Sequence, residues 1–469
     1  MRLLSASERT SLKYAKTMSY FPRWRRIDGA TSGTLIAPDE CLSWPRNIAM
    51  GAQHVVAMFG STVLAPLLMG FDPNVAILMS GVGTLIFFLF VGGRVPSYLG
   101  SSFAFIGGVV AVTGYAGSGP NLNIGVALGA IIACGAVYTL IGLLMWIANA
   151  RSGAGARWIE TLMPPVVTGA VVAVIGLNLA PIAVKGAMGQ STFDALMALM
   201  TIVAVGGVAV FTRGMVQRLL ILVGLIVACL IYALCTNVLG WGTPIAFAGV
   251  ANAAWLGLPN FSAPVFQVQA MTLIVPVAVI LVAENLGHVK AVAAMTGRPM
   301  DAYMGRAFVG DGVATMVSGS VGGTGVTTYA ENIGVMAVTR IYSSLVFVLA
   351  ALIAIVLGFS PKFGALIQTI PGPVLGGMSI VVFGLIAIAG ARIWVVNGVD
   401  FSDNRNLITA AVTLVLGAGD FTLKIGDFHL GGIGVATFGA IALYALLRIG
   451  APAPVGATPP AQPEDGKPH

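Results

Sequence analysis

Between Arg218 and Glu284 the chain carries no charged residue, a run of 65 positions. A water-soluble fold cannot build a surface over such a stretch, whereas a lipid bilayer solvates it readily. The run is the extreme of a general property. Hydrophobic residues make up 57% of the 469 positions and charged residues 9%, against roughly a quarter charged in soluble domains. The fold class that follows is an all-α polytopic membrane protein.

Fourteen apolar segments stand near 48–69, 74–92, 101–114, 124–148, 162–183, 195–212, 216–239, 269–291, 306–321, 326–339, 342–360, 373–391, 405–420 and 431–448. Most reach the ~20 residues a helix needs to cross a bilayer. The third and tenth are too short, and too rich in Gly, Ser and Thr, to cross as regular helices. With the amino end in the cytoplasm, 21 of the 24 Lys and Arg residues fall on that side, and only Lys185, Lys362 and Lys424 on the other. The positive-inside rule then places both termini in the cytoplasm, with the chain expected in the plasma membrane. The basic tail, residues 1–47, with Arg2, Arg9, Lys13, Lys16, Arg23, Arg25 and Arg26, reads as the inside-positive anchor on the lipid bilayer and not as a nucleic-acid surface. Residues 451–469, rich in Pro and Ala, read as a disordered cytoplasmic tail. No apolar core of a secretory signal stands in residues 1–30.

Cys41, Cys134, Cys229 and Cys235 show no CxxC spacing and read as small apolar side chains, with no metal site. The chain lacks HExxH, GxSxG and any Cys/His cluster, so no enzyme is expected.

An internal echo runs through the sequence. Pro165-Val166-x-x-Gly169 followed by Gly176-Leu177 recurs as Pro373-Val374-x-x-Gly377 followed by Gly384-Leu385, at identical spacing. Seven spans separate the copies, so they enter the membrane from opposite sides, the arithmetic of an inverted-topology repeat of secondary transporters. The short third and tenth segments hold equivalent places in the two halves, where unwound backbone would free N–H and C=O groups for a ligand. The candidates are Gly100-Ser101-Ser102-Phe103-Ala104-Phe105 and Gly322-Gly323-Thr324-Gly325-Val326-Thr327-Thr328-Tyr329-Ala330-Glu331-Asn332. Glycines there could serve close packing alone, but packing does not explain the carboxyl of Glu331.

Few ionisable groups stand inside spans, and each costs about 2.5–3.5 kcal/mol at a helix centre. Glu284 and His288 lie four apart on one face of span eight, Glu331 at the broken span ten, Asp311 in span nine and His54 in span one. Acids flanking broken helices suit a flat ring that carries both N–H donors and C=O acceptors, with Phe103 against its face. A Glu beside a His can also hold and release a proton. A Glu284–His288 pair that merely locks span eight to its neighbours is the plain alternative. Asp311 and His54 fit packing or hydrogen-bonded support as well as contact, and Asp72, Asp194, Asp420 and Asp427 read as solvated loop charges.

Glu331-Asn332-x-Gly334-x-x-x-x-Thr339-Arg340 resembles the signature of the nucleobase–ascorbate transporter family, also called nucleobase:cation symporter-2. Gln53-His54-x-x-Ala57-Met58-Phe59-Gly60, Tyr98-Leu99-Gly100-Ser101-Ser102-Phe103-Ala104-Phe105 and Ala283-Glu284-Asn285-Leu286-Gly287-His288 match its other landmarks in order. The likeness covers roughly residues 40 to 450, and a Glu opening the signature resembles the uracil branch. The resemblance implies fourteen spans in a 7+7 inverted repeat, with broken spans 3 and 10 carrying short strands. It implies a core built from 48–148 and 269–360, and a gate built from 162–239 and 373–448 through which a homodimer forms. It also implies proton-coupled import of uracil or a related pyrimidine nucleobase, with no cofactor beyond the proton. Carried over by position, Glu284 and Glu331 grip the ring with backbone at Phe103 and Ala330, Ser102 and Tyr329 complete the contact, and His288 with Glu284 couples the proton. Asp311, Asn332, Ser61, Phe383 and His54 stand behind them. Three departures bear on substrate choice: Ala330 where uracil permeases often have Gly, Phe383 where a Tyr hydroxyl is expected, and Ser61 in place of Ala. A purine, xanthine or urate carrier of the same family is the alternative reading. An anion carrier of the related sulfate-transporter fold is a more distant one, expected to show a cation or a bare helix N-terminus at the broken spans.

Overall fold

The computed structural model describes residues 20–28, 34–115, 117, 119–152, 157–425 and 428–449. Most of the basic tail, the Pro/Ala-rich end and Asp427 therefore lie outside the described residues. Among those described, two short strands, β1 (Arg25–Arg26) and β2 (Glu40–Cys41), precede α1 (Trp44–Met69) and α2 (Pro73–Val91). Next come β3 (Leu99–Ser101), α3 (Phe105–Thr113), α4 (Ile124–Ser152), α5 (Arg157–Leu162), α6 (Pro165–Met188) and α7 (Thr192–Phe211). They are followed by α8 (Met215–Arg218), α9 (Leu220–Ala233) with a π-helical turn over Leu234–Val238, α10 (Ala248–Asn252), α11 (Val268–Ile274), α12 (Val277–Thr296) and α13 (Asp301–Val321). The chain continues as β4 (Val326–Thr328), α14 (Ala330–Thr339), α15 (Ser344–Gly358), α16 (Pro361–Gln368), α17 (Gly372–Val396), α18 (Asn404–Ala418), β5 (Leu423–Ile425), β6 (Phe428–Leu430) and α19 (Gly432–Leu447).

Every one of the fourteen apolar segments contains a helix, and among the described residues the fold is all-α apart from three two-stranded ribbons. Among the described residues, eight helices are by length and composition apolar enough to cross a bilayer, or nine spans if the α15–α16 pair, bent by 81°, is one. The rest are shorter or more polar, α3 and α14 among them.

Helix starts follow the local chemistry. Asp72 accepts from the amides of Asn74 and Val75 and opens α2, where Pro73 needs no partner. Ser191 and Asp194 form a reciprocal capping box at α7. Asp420 accepts from Gly432 N at 3.0 Å, joining the ends of α18 and α19. These three acids lie at span ends and are partly or fully exposed, as the sequence reading expects, and they serve there as helix caps and clasps.

The strongest helix pairings fall into two sets. In one, α13 lies against α4 and α2, and α15 against α2 and α1; in the other, α17 lies against α6 and α7, and α18 against α6 and α19. Gly169 and Gly176, the glycines of the first copy of the echo, lie in the α6–α17 contact. A Cβ on Gly169 would stand 2.8 Å from Gly390 O, and one on Gly176 2.2 Å from Phe383 O. The partner positions fall as the sequence rises, so the two helices that carry the echo run antiparallel.

The segment ahead of α1 is packed, not free. Trp24 Nε1 donates to Ser344 Oγ at 3.0 Å, and Phe21 stacks on Phe88 with ring centroids 5.6 Å apart. Ile36 N donates to Arg340 O at 2.9 Å and Ile36 O accepts from Tyr342 N at 2.8 Å. An ion pair of 2.8 Å joins Arg298 to Asp39. Beyond supplying charge, residues 20–28 and 34–43 fasten the linker between α14 and α15 and the turn between α12 and α13.

Candidate functional site

The broken third and tenth spans meet each other. β3 and β4 pair antiparallel, Leu99 with Thr328, Gly100 with Thr327 and Ser101 with Val326. Ser102 N to Gly325 O at 2.9 Å and Tyr329 N to Tyr98 O at 3.0 Å extend the ladder. A two-stranded ribbon leaves its outer backbone groups unpaired, which an apolar interior does not tolerate. Side chains fill the gap: Thr84 Oγ1 accepts from Leu99 N at 2.9 Å, and Thr315 Oγ1 donates to Val326 O at 3.0 Å. Glycine is required where the ribbon is closest to the helices it feeds, since a Cβ on Gly325 would lie 2.1 Å from the Phe105 ring.

One helix leaves each end of this ribbon, α3 at Phe105 and α14 at Ala330. The amides of a first helical turn have no intrahelical partner and carry the positive end of the helix dipole. Glu331 stands in the first turn of α14. Glu284 stands on α12, which packs against both α14 and β4. Glu284, Glu331, His288 and Phe103 are each half-buried and Ala330 is exposed, in a region where most neighbours are fully buried. Phe383, from α17, meets Phe103 edge-on at 6.3 Å between centroids and is itself buried.

Behind these groups runs a chain of polar contacts. His288 Nδ1 lies 2.8 Å from Thr328 Oγ1, and Thr328 Oγ1 donates to Asn285 Oδ1 at 3.3 Å. Asn285 Nδ2 donates to Asp311 Oδ2 at 2.5 Å and to Tyr138 OH at 2.9 Å. Asp311 is fully buried, so it supports the site from behind. Among the described residues no hydrogen bond joins Glu284 to His288, and the plain reading of a self-satisfied pair does not hold.

A second support comes from α1. Ser61 Oγ donates to Glu331 Oε1, Thr62 Oγ1 to Tyr329 OH at 3.0 Å, and Asn332 Nδ2 lies 3.0 Å from His54 Nδ1. Two residues expected at the ring also take part in the ribbon. Tyr329 is buried, its hydroxyl donates to Ser101 O at 2.9 Å and its amide to Tyr98 O. Ser102 is buried, with its amide on Gly325 O and its Oγ accepting from Ala104 N at 3.3 Å. Tyr329 shapes the ribbon and presents no free donor, because closing the ladder uses its polar groups, whereas Ser102 gives its amide to the ladder and keeps its hydroxyl hydrogen as a donor.

Sequence reasoning did not find Thr328, Tyr138 or Thr62. Thr328 stands within the quoted broken segment, but Tyr138 lies in an otherwise apolar helix that gave no signal. A separate cavity of about 400 Å³ lies between Tyr232, Thr243, Ile245, Gln368 and Gly372, and no carboxylate, imidazole or amine lines it.

An apolar helical bundle with two acids at the crossing of a pair of broken spans is a multi-pass membrane permease in build. Residues 46–426 match the model of the Permease family, Xan_ur_permease. Over 427 residues the chain is 69% identical to the "Putative pyrimidine permease RutG" of Escherichia coli strain K12, covering 91% of this chain and 95% of that one. It is 40% identical over 427 residues to the "Uracil permease" of Paenibacillus larvae, covering 88% and 97%. The transmembrane domain of the cyanobacterial bicarbonate transporter BicA superposes with a TM-score of 0.57 at 18% identity, over 80% of this chain and 96% of that one. Murine Slc26a9, an anion transporter in its inward-facing state, gives 0.64 at 12% identity, over 94% and 75%.

The chain belongs to the Permease family. It is a multi-pass membrane protein and not an enzyme, and the family resemblance read from its motifs is borne out. The two transporter structures share its fold alone.

Proposed function

We propose that this protein imports uracil or a closely related pyrimidine nucleobase together with a proton, by alternating access. The observation that carries the reading is the pair of half-buried carboxyls, Glu284 and Glu331, at the crossing of the broken spans. A carboxylate accepts from ring N–H, and the first-turn amides beside Phe103 and Ala330 donate to ring carbonyls. The names of the pyrimidine and uracil permeases that this chain resembles support the same ligand class.

The bare helix N-termini that would attract an anion are here accompanied by two acids, which weighs against anion carriage despite the shared fold. His288 and Glu284 carry the proton: loading from outside neutralises the site, the loaded core moves against the gate, and release inside frees both passengers. The two sets of packed helices supply the moving parts, with the core in 48–148 and 269–360 and the gate in 162–239 and 373–448. Both termini lie in the cytoplasm, no cofactor beyond the proton is needed, and two copies associate through the gate.

Uptake of labelled uracil into proteoliposomes, with and without an imposed pH gradient, tests the proposal. Concentrative uptake that follows the gradient, and that unlabelled uracil or thymine suppresses more strongly than xanthine, is expected. Uptake indifferent to pH, or suppressed best by xanthine, would refute it.

A further inference from the structure

We infer that Ser61 is a positioning residue for substrate, holding the carboxylate of Glu331 in the orientation that grips the ring. The inference rests on the pyrimidine reading above and adds a residue that does not itself touch the ligand.

Helix α1 reads the N-cap and first turn of α14 along one face. His54 and Ser61 are seven residues apart, two helical turns, and therefore share that face. His54 meets Asn332, Ser61 meets Glu331, and Thr62 meets Tyr329. Two of these three contacts are made by buried pairs and fasten the start of α14 to α1. The Ser61 contact is different, because its acceptor is the half-buried acid that faces the ligand. Ser61 is 1% exposed, so its hydroxyl is hidden from substrate and serves the carboxylate alone.

A Glu carboxylate has two oxygens and about four lone-pair sites, and its long side chain otherwise samples many rotamers. By donating to Oε1, Ser61 selects one rotamer and leaves Oε2 and the remaining lone pairs for ring N–H groups. The bond is charge-assisted when Glu331 is ionised, and so among the stronger kinds available. Without the hydroxyl, Glu331 keeps its charge but loses its aim, and ordering it falls to the substrate at each binding event. The cost should then appear in apparent affinity and not in turnover.

Steady-state uptake of labelled uracil by the full chain in proteoliposomes tests this with Ser61→Ala and Ser61→Thr beside the wild type. Ser61→Ala should raise KM about 5- to 20-fold while Vmax per carrier stays within about twofold. Ser61→Thr, which keeps the hydroxyl, should return KM to within about threefold of the wild type. A Ser61→Ala KM within about twofold of the wild type, or a fall in Vmax at unchanged KM, would overturn the inference. So would Ser61→Thr as impaired as Ser61→Ala. Wild-type uptake in the same assay reports on the pyrimidine reading itself, and the ratio of variant to wild type reports on Ser61.

Discussion

Asn332 Nδ2 stands 3.0 Å from both the ring Nδ1 and the backbone carbonyl of His54, so one amide clamps α14 to α1. The contact assigns His54 the tautomer with Nδ1 as acceptor. The ring also packs on Phe347, with centroids 4.6 Å apart. Both residues are fully buried, and a buried acceptor left without its donor costs about 1–3 kcal/mol. Asn332→Ala should therefore lower stability by roughly 2 kcal/mol and reduce uracil uptake with it, read by thermal unfolding in detergent beside transport. Full stability with full uptake would show the clamp to be dispensable.

Steric demand at the ribbon gives a sharper contrast. A Cβ at Gly325 would meet the Phe105 ring at 2.1 Å, whereas one at Gly206 meets nothing within 4 Å. Gly325→Ala should push α3 off the ribbon and cut uptake by at least about tenfold, an overpacking cost of ~1–3 kcal/mol placed at the site. Gly206→Ala should transport as the wild type does. Equal uptake by the two variants would contradict the closeness of ribbon and helix.

The polar chain behind His288 predicts unequal effects from two substitutions. Asn285 touches Thr328, Asp311 and Tyr138, while the Tyr138 hydroxyl is one of several partners. Asn285→Ala leaves a buried acid and the Thr328 hydroxyl short of partners, and uptake should fall at least about tenfold; Tyr138→Phe should cost less than about threefold. Parallel uptake assays at matched carrier density would decide it, and a greater loss in Tyr138→Phe would reverse the order of importance.

The amino-terminal brace carries a pH signature. The Ala37 amide, first, and then Arg25 at 2.6 Å hold the Glu40 carboxyl below the usual carboxylate range. A depressed acid stabilises the fold above its unfolded pKa of about 4.3 and loses that contribution as pH falls through the folded value. Hydrogen exchange at residues 36–41 should therefore be about fivefold faster in Glu40→Gln than in the wild type at pH 7, as expected for the loss of one hydrogen bond of ~1 kcal/mol. The difference should shrink once the pH drops below about 4. A difference that persists in acid would place its origin elsewhere.

How much of this was legible beforehand depended on the kind of signal. The helices were, because lipid demands long apolar stretches whatever their partners; all fourteen segments contain one. The broken third and tenth spans were legible from Gly100 and from Gly322, Gly323 and Gly325, residues that a regular crossing helix does not collect. Glu284 and Glu331 stood out because an acid in an apolar run has few innocent explanations. Pairwise facts stayed hidden: nothing in the order of residues says that Ser61 faces Glu331 across 270 positions. Nor does it say that Tyr329 and Ser102 turn inward to close the ladder. Residues 20–28 and 34–43 hid for a different reason, because their basic charges announced an anchor and masked Phe21 and Trp24 as packing side chains.

The account turns on Glu284 and Glu331 being the groups that bind the ring. Isothermal titration of uracil into purified Glu284→Gln and Glu331→Gln, beside the wild type, tests that directly. Each substitution should weaken binding by at least about tenfold, the loss expected for a hydrogen bond to a charged acceptor, while unliganded thermal stability stays near that of the wild type. Wild-type uracil affinity in either variant would contradict the account.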